Sequence, residues 1–451
     1  MMFPKDFTWG VAAASYQVEG AANDDGRGPS VWDMLCRKGG TIWNNQSGDA
    51  ACDHYHRYKE DVALMKSLGI MAYRLSIAWP RVLPDGTGRV NPKGLEFYDR
   101  LVDELLVAGI TPWITLFHWD YPYELYCRGG WLNPDSPDWF AEYAKIVVEK
   151  LSDRVRHWMT LNEPQCFIGL GHQDGTHAPG DKLGFAQVLR AGHNALLAHG
   201  KAVQTIRAAS RTKPIVGYAP VGMVSAPASE IAADLAAARN AMFSLTAKNC
   251  WNNTWWMDPV FLGRYPDDGQ KLYAAEMPPV RDADMATICQ PLDFFGVNVY
   301  GGQVIRAGSD GRPEPVPVPT GHPITAFGWN VVPESLRWGP RFFQERYKLP
   351  IVITENGMAN VDWPALDGKV HDPQRIDFLH RYLLQLRRAI ADGVDARGYF
   401  QWSIMDNFEW AEGYKQRFGL VYVDDPTQRR VVKDSGFWYK DVIATNGANL
   451  A

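Results

Sequence analysis

The chain has 451 residues, 46% of them hydrophobic and 22% charged, with a formal net charge of −5. That balance belongs to a folded protein with a sizeable core and excludes a disordered chain. So small a charge gives no electrostatic reason for a nucleic acid or an anionic membrane as partner, and no apolar stretch approaches the roughly 18 residues of a membrane span.

The chain opens Met1-Met2-Phe3-Pro4-Lys5-Asp6, and the apolar run that follows, Trp9 to Ala14, is too short for a secretory signal. Cys36, Cys52, Cys127, Cys166, Cys250 and Cys289 are scattered and form no CxxC pair, the pattern of reduced thiols. A cytoplasmic location is expected, in which the sequons Asn45-Gln46-Ser47 and Asn252-Asn253-Thr254 carry nothing.

A cycle then repeats along the chain. Tyr58, Val62, Met65 and Leu68 recur at helical spacing, Gly69 offers a cap, and Met71 to Trp79 reads as a strand. Leu95, Tyr98, Val102 and Leu105 precede Gly109 and the strand from Thr111 to His118; Leu383, Leu386 and Ile390 precede Gly393 and a strand from Arg397. Strands covered on both faces lose polar alternation, so helix, glycine and apolar strand in rotation predict parallel βα units. Eight such strands are expected, starting near Phe7, Met71, Thr111, Trp158, Pro214, Phe294, Pro350 and Arg397. The predicted fold class is α/β, a (β/α)8 TIM barrel with long loops at the carboxyl ends of the strands, and residues 1–451 are expected to form a single catalytic domain of that barrel. An open doubly wound sheet is the competing architecture, but no glycine-rich phosphate loop follows an early strand.

Unusual residues gather where those strands end: Gln17, Arg74, Trp79, His118, Trp119, Asn162, Glu163, Asn298, Tyr300, Glu355 and Trp402. Two of them are glutamates, in Thr160-Leu161-Asn162-Glu163-Pro164 and Thr354-Glu355-Asn356-Gly357, far apart in sequence and brought together only by the fold. Facing carboxylates are the minimum equipment for cleaving a glycosidic bond, indole faces pack on the C–H side of a pyranose, and amides and imidazoles take its hydroxyls. A lone glutamate before Asn-Gly can simply begin a turn, and a lone tryptophan is more often core; neither explains the set. His54 and His56, near Cys52 and Asp53, lack a distant partner at ligand spacing, so packing or capping is favoured over metal. His177 is assigned to a structural loop after the fourth strand, and His193, Asn194 and His199 to a helix packed on the barrel.

These strings give a resemblance. The chain resembles glycoside hydrolase family one, the β-glucosidase and β-glycosidase family, from Phe7-Thr8-Trp9-Gly10 through Tyr73-Arg74-Leu75-Ser76-Ile77-Ala78-Trp79-Pro80-Arg81 to Asn407-Phe408-Glu409-Trp410. The resemblance implies Glu163 as general acid/base and Glu355 as nucleophile, with Tyr300 and Arg74 orienting and charge-balancing Glu355. It implies Gln17, His118, Asn162, Glu409 and Trp410 as holders of the non-reducing sugar, Trp402 as the platform beneath its ring, Asn298 and Phe418 as further members of that shell, and Trp329 as the aglycone stack. Arg74 and Tyr300 are expected to keep the Glu355 pKa low, and a less solvated setting to keep Glu163 protonated.

The implied activity is a cofactor-free, metal-free retaining β-glucosidase acting on terminal β-D-glucosyl residues of cello-oligosaccharides or aryl and alkyl glucosides, as a monomer or dimer, with a small-molecule β-glycoside as its only implied partner. A β-galactosidase or β-fucosidase of the same family stays open. Glu409 argues against a 6-phospho-β-glycosidase, Glu163 against a thioglucosidase, and retention of both glutamates against a non-catalytic sugar-binding module. The proline-rich stretch between Gly301 and Pro333 is expected as an ordered loop at the cleft mouth. Gln165 and Tyr121-Pro122-Tyr123-Glu124, which depart from the family pattern, are expected on the aglycone side.

Overall fold

The computed structural model describes residues 3–450. Eight parallel strands form a closed barrel: β1 (Thr8–Ala12), β2 (Ala72–Ser76), β3 (Thr111–Phe117), β4 (His157–Asn162), β5 (Ile215–Ala219), β6 (Phe294–Asn298), β7 (Ile351–Asn356) and β8 (Ala396–Trp402). Each starts at or next to its expected position. Neighbours in sequence are neighbours in the sheet, and β8 closes on β1 with Thr8 opposite Gly398 and Ala12 opposite Trp402. This is a TIM barrel, and the strands are continuous apolar runs because both faces are covered: every residue of β2, β6 and β7 is buried.

The amino-terminal end of the barrel is plugged by aromatic rings. Trp113 stacks on His157 at 4.1 Å and meets Phe294 at 5.4 Å and Phe400 at 5.0 Å. Phe400 fits only because β1 carries Gly10, where a Cβ would lie 2.4 Å from its ring. With one end filled, a ligand can enter only from the carboxyl ends of the strands.

Outside, helices such as His54–Ser67, Pro92–Val107, Ser136–Leu151, Phe185–Ala209 and Pro373–Ala391 bury their apolar stripes against the strands. Gly109 ends the second of these with φ +80°, the left-handed cap that lets the chain turn directly into β3. Among the described residues no helix is long and apolar enough to cross a membrane.

Two expectations need correction. The strand expected over Met71 to Trp79 stops at Ser76, because Pro80 starts a short helix, Trp79–Val82. Trp79 is fully buried, donates to the Gly86 carbonyl at 2.9 Å and stacks on Tyr143, so it belongs to the core. The proline-rich stretch contains a small sheet: Gly302–Ala307 pairs with Val224–Pro227 on one side and with Pro313–Pro315 on the other. Prolines are tolerated there because Pro313–Pro315 is an edge strand.

A buried ionic cluster braces the loop after β8. Lys433 Nζ donates to Asp362 Oδ2 at 2.6 Å and to Asp406 Oδ1 at 2.7 Å, while Arg375 holds Asp362 at 2.7 Å and pairs with Asp372. None of these side chains reaches solvent appreciably. Removing one partner would strand a buried charge, a loss of about 3–5 kcal/mol.

Candidate active site

The carboxyl ends of the strands open into a cleft of about 920 Å³, within the usual range for ligand sites. His118, Glu163, Tyr300, Glu355, Trp402, Glu409, Trp410, Phe418 and Trp329 all line it. Gln17, Arg74, Asn162 and Asn298 lie fully buried directly behind that wall and reach it through hydrogen bonds.

Glu355, in β7, has a donor on each oxygen: Arg74 Nη1 at 2.5 Å on Oε1 and the Tyr300 hydroxyl at 2.6 Å on Oε2. Arg74 projects from β2 and is itself fixed by Thr115 Oγ1, the Thr354 carbonyl and Asn162 Oδ1. Glu163, just past β4, has no cation in contact; Asn298 Nδ2 lies 2.8 Å from Oε1 and Cys166 Sγ 3.2 Å from Oε2. Burial, then the nearby Glu355 charge, pushes the Glu163 carboxyl up to about 8. Glu355 is also raised, chiefly by burial, with Arg74 and Tyr300 pulling it back. The expected low pKa for Glu355 is therefore corrected: desolvation outweighs the guanidinium. The asymmetry survives, since only Glu355 has a cation and a phenol to stabilise its anion, so the shared proton rests on Glu163.

The sugar-facing shell is equally ordered. Gln17 Nε2 donates to Asn407 Oδ1, the Phe408 carbonyl and Glu409 Oε2 at 3.1, 2.9 and 3.3 Å, which leaves its buried Oε1 without a partner and able to accept a hydroxyl. Asn162 Nδ2 lies 3.1 Å from His118 Nε2. Because Asn162 Oδ1 already accepts from Arg74, Nδ2 must be the donor, and His118 carries its own proton on Nδ1. Burial and the Arg74 charge hold His118 far below its ordinary pKa, so the ring is neutral. Trp402 and Trp410 stack near His118, at 5.7 and 6.0 Å between centroids. Glu163, Trp119 and Trp410 have φ of +47°, +81° and +52°, left-handed conformations that cost of order 1–3 kcal/mol each in residues with side chains and that cluster at functional sites.

The profile of glycosyl hydrolase family 1 matches residues 1–448. The chain belongs to glycosyl hydrolase family 1. It is 44% identical over 447 residues to beta-glucosidase A of Thermotoga maritima, covering 99% of this chain and 98% of that one. To the 1,4-beta-D-glucan glucohydrolase of Thermotoga neapolitana it is 45% identical over 450 residues, covering 99% of each. The solved structure of the Thermotoga maritima beta-glucosidase in complex with deoxynojirimycin superposes with a TM-score of 0.90 at 44% identity, over 99% of both chains. As a member of family 1 the protein is an O-glycoside hydrolase.

Several residues of this family 1 site escaped the sequence reading. Thr354 Oγ1 donates to Asn298 Oδ1 at 2.7 Å, Cys166 touches Glu163, and Asn407 holds Gln17. Thr354 and Asn407 stand inside strings already singled out, so proximity to Glu355 and Glu409 was the available signal. Trp251 lines the outer cleft, half-exposed, on a loop that gave no sequence signal. His177 packs between Trp32 and Trp119 but also lines the cleft, held to about 3 by burial. His199 bonds Thr160, His193 bonds Tyr265 and Asp284, and His54 bonds Asp61, all as packing groups. Neither Gln165 nor Tyr121 lines the cleft itself. Gln165 is buried, pinning the Val221 backbone at 3.0 and 3.2 Å, and Tyr121 packs with Trp79 and Trp131 in the core.

No lysine or arginine lines the family 1 cleft among the described residues, whereas Glu163, Glu355, Glu409 and Glu412 do. Glu409 is pushed up to about 8 by burial and then by Glu355 and Glu163. A carboxyl whose folded-state pKa exceeds its unfolded value binds more protons folded than unfolded. Stability is therefore complete below the ordinary 4.5 and falls as pH rises toward about 8. Glu163→Gln removes that liability at the more buried of the two residues. Its melting temperature should exceed that of the parent by roughly 1–3 °C at pH 8, with the gap closing near pH 4.5. A gap independent of pH in paired melts would show that Glu163 is not the titrating group.

Proposed function

We propose that this family 1 enzyme is a retaining β-glucosidase, releasing terminal non-reducing β-D-glucosyl units from cello-oligosaccharides and from aryl and alkyl β-glucosides. The observation that carries this reading is the unequal pair: a glutamate with a donor on each oxygen opposite one that keeps its proton. Glu355 attacks the anomeric carbon while Glu163 protonates the departing oxygen, leaving a covalent glycosyl ester. Esterification cancels the Glu355 charge, so Glu163 gives up its proton more readily and takes one from the incoming water. Two inversions return the original configuration.

In this reading Gln17, His118, Asn162, Glu409 and Trp410 hold the glucosyl hydroxyls, Trp402 underlies the ring with Phe418 as a further member of that shell, and Trp329 meets the leaving group. Asn162 addresses the 2-hydroxyl, whose hydrogen bonds strengthen in the oxocarbenium-like transition state. The beta-glucosidase and glucan glucohydrolase relatives, and the deoxynojirimycin bound in the Thermotoga maritima structure, support glucose as the glycone. The carboxylate-lined, cation-free cleft disfavours a phosphorylated one. We take residues 1–451 as one catalytic domain, working on cellulose-derived oligosaccharides in the cytoplasm, a compartment that suits six free thiols.

The test is a panel of p-nitrophenyl β-glucoside, β-galactoside, β-fucoside and β-glucoside 6-phosphate together with cellobiose, followed by proton NMR. Preference for glucoside and cellobiose, with β-glucose as the first-formed anomer, is expected. α-Glucose first would overturn retention, and preference for the phosphorylated substrate would overturn the glycone.

A further inference from the structure

Asn298 ends β6, is fully buried and does not line the cleft. Its amide is engaged at both ends. Nδ2 donates to Glu163 Oε1 at 2.8 Å and to Asn162 Oδ1 at 3.0 Å, and Oδ1 accepts from Thr354 Oγ1 at 2.7 Å. The orientation follows from Arg74, which can only donate: with Nη2 2.6 Å from Asn162 Oδ1, that oxygen is an acceptor, so Asn298 must present N–H to it. Both Nδ2 hydrogens are then committed to protein acceptors, and none is left for a sugar hydroxyl.

We propose that Asn298 is a positioning residue of the general acid, held in place by the Thr354 hydroxyl, and that it confines the transferable proton to Glu163 Oε2. The proposal rests on the reading of Glu163 as acid/base. Oε1 faces an amide N–H, which can only donate, at 2.8 Å, whereas Oε2 faces the Cys166 thiol at 3.2 Å, a weak donor whose sulfur can turn to accept, so the neutral acid carries its proton on Oε2. Thr354 has no contact with Glu163 of its own; its neighbour in sequence is Glu355. It therefore links the strand of one carboxylate to the protonation site of the other.

The test compares Thr354→Val, which keeps the shape and loses the donor, with Thr354→Ser, which keeps the donor. Valine leaves the buried Asn298 Oδ1 unpaired, and the amide relieves this by rotating away from Glu163. For Thr354→Val, kcat/KM on cellobiose and alkyl β-glucosides should fall about 10- to 100-fold. On 2,4-dinitrophenyl β-glucoside, whose leaving group departs without a proton, it should stay within about threefold. The basic limb of the cellobiose pH profile should move upward, since a carboxylate stripped of an N–H donor holds its proton more tightly. The other groups facing Glu163 are Glu355 on β7, Arg74 on β2, Tyr300 after β6, Glu409 after β8 and Cys166; neither substitution removes any of them, and of these Glu355 is the one the Asn298 amide also stabilises. Thr354→Ser should restore both readouts.

Equal losses on the two substrates, with weakened binding of a neutral glucose analogue, would make Asn298 a sugar ligand and overturn the proposal. An unmoved basic limb would also overturn it. Asn298→Ser, run alongside, gives the same comparison if melts show that Thr354→Val does not fold. Glu163→Gln separates the two levels: if it hydrolyses cellobiose normally, the acid assignment itself fails, whereas if it is inactive and Thr354→Val is normal, only the present proposal fails.

Discussion

Replacing Glu355 by alanine should lower turnover of every substrate by on the order of 10⁵, with binding of glucose analogues largely kept. The residue supplies the atom that bonds to carbon, so no other group in the cleft can stand in: Tyr300 is pushed well above its ordinary pKa by burial and the neighbouring carboxylates, and it remains a neutral phenol. Alanine also opens space on that face of the ring while Glu163 stays protonated. Azide should enter there and displace the aglycone once, giving the α-glucosyl azide. Product NMR decides the matter: no rescue, or a β product, would remove Glu355 from the nucleophile role.

Glu163→Ala should behave differently in each respect. Glycosylation with poor leaving groups should slow about 10²–10⁴-fold, while activated aryl glucosides still form the ester because their leaving groups need no proton. The ester then accumulates, for nothing remains to deprotonate water. Azide needs no base, so it should restore turnover and give the β-glucosyl azide after two displacements. The two azide products of opposite configuration identify the two carboxylates separately. If activated substrates were lost as fully as cellobiose and azide restored nothing, Glu163 would not be the acid/base.

The barrel was legible because covered parallel strands write themselves as unbroken apolar runs, and Gly69, Gly109 and Gly393 mark where helices give way to strands. β2 was read too long, since Ile77-Ala78-Trp79 is as apolar as the strand before it, and only Pro80 hints at the turn. Strand ends also identified most of the residues around the cleft. The sequence could not tell which way each side chain points. Trp79 and Tyr121 turned out to face the core, and Gln165 ties down a backbone segment. Nor could it give the degree of desolvation, which is why the balance at Glu355 came out on the side of burial despite Arg74. Thr354 was in view inside a string singled out for its glutamate, but a hydroxyl aimed at an amide on the next strand leaves no trace in periodicity.

The cluster around Lys433 carries a consequence for how the molecule is divided. Asp406, which Lys433 neutralises, lies three positions before Glu409, and Asp362 lies within the loop beyond β7. The final hairpin, Val421–Asp424 with Arg429–Val432, and the helix Asp434–Ala444 do not line the cleft, yet with Lys433 between them they serve as the footing of the Glu409 segment that does. A chain cut before Lys433 is not a smaller version of this hydrolase: Asp362 and Asp406 would lose the buried ammonium they share and keep only Arg375 and Arg417, and the glycone-binding edge above them would be weakened from below.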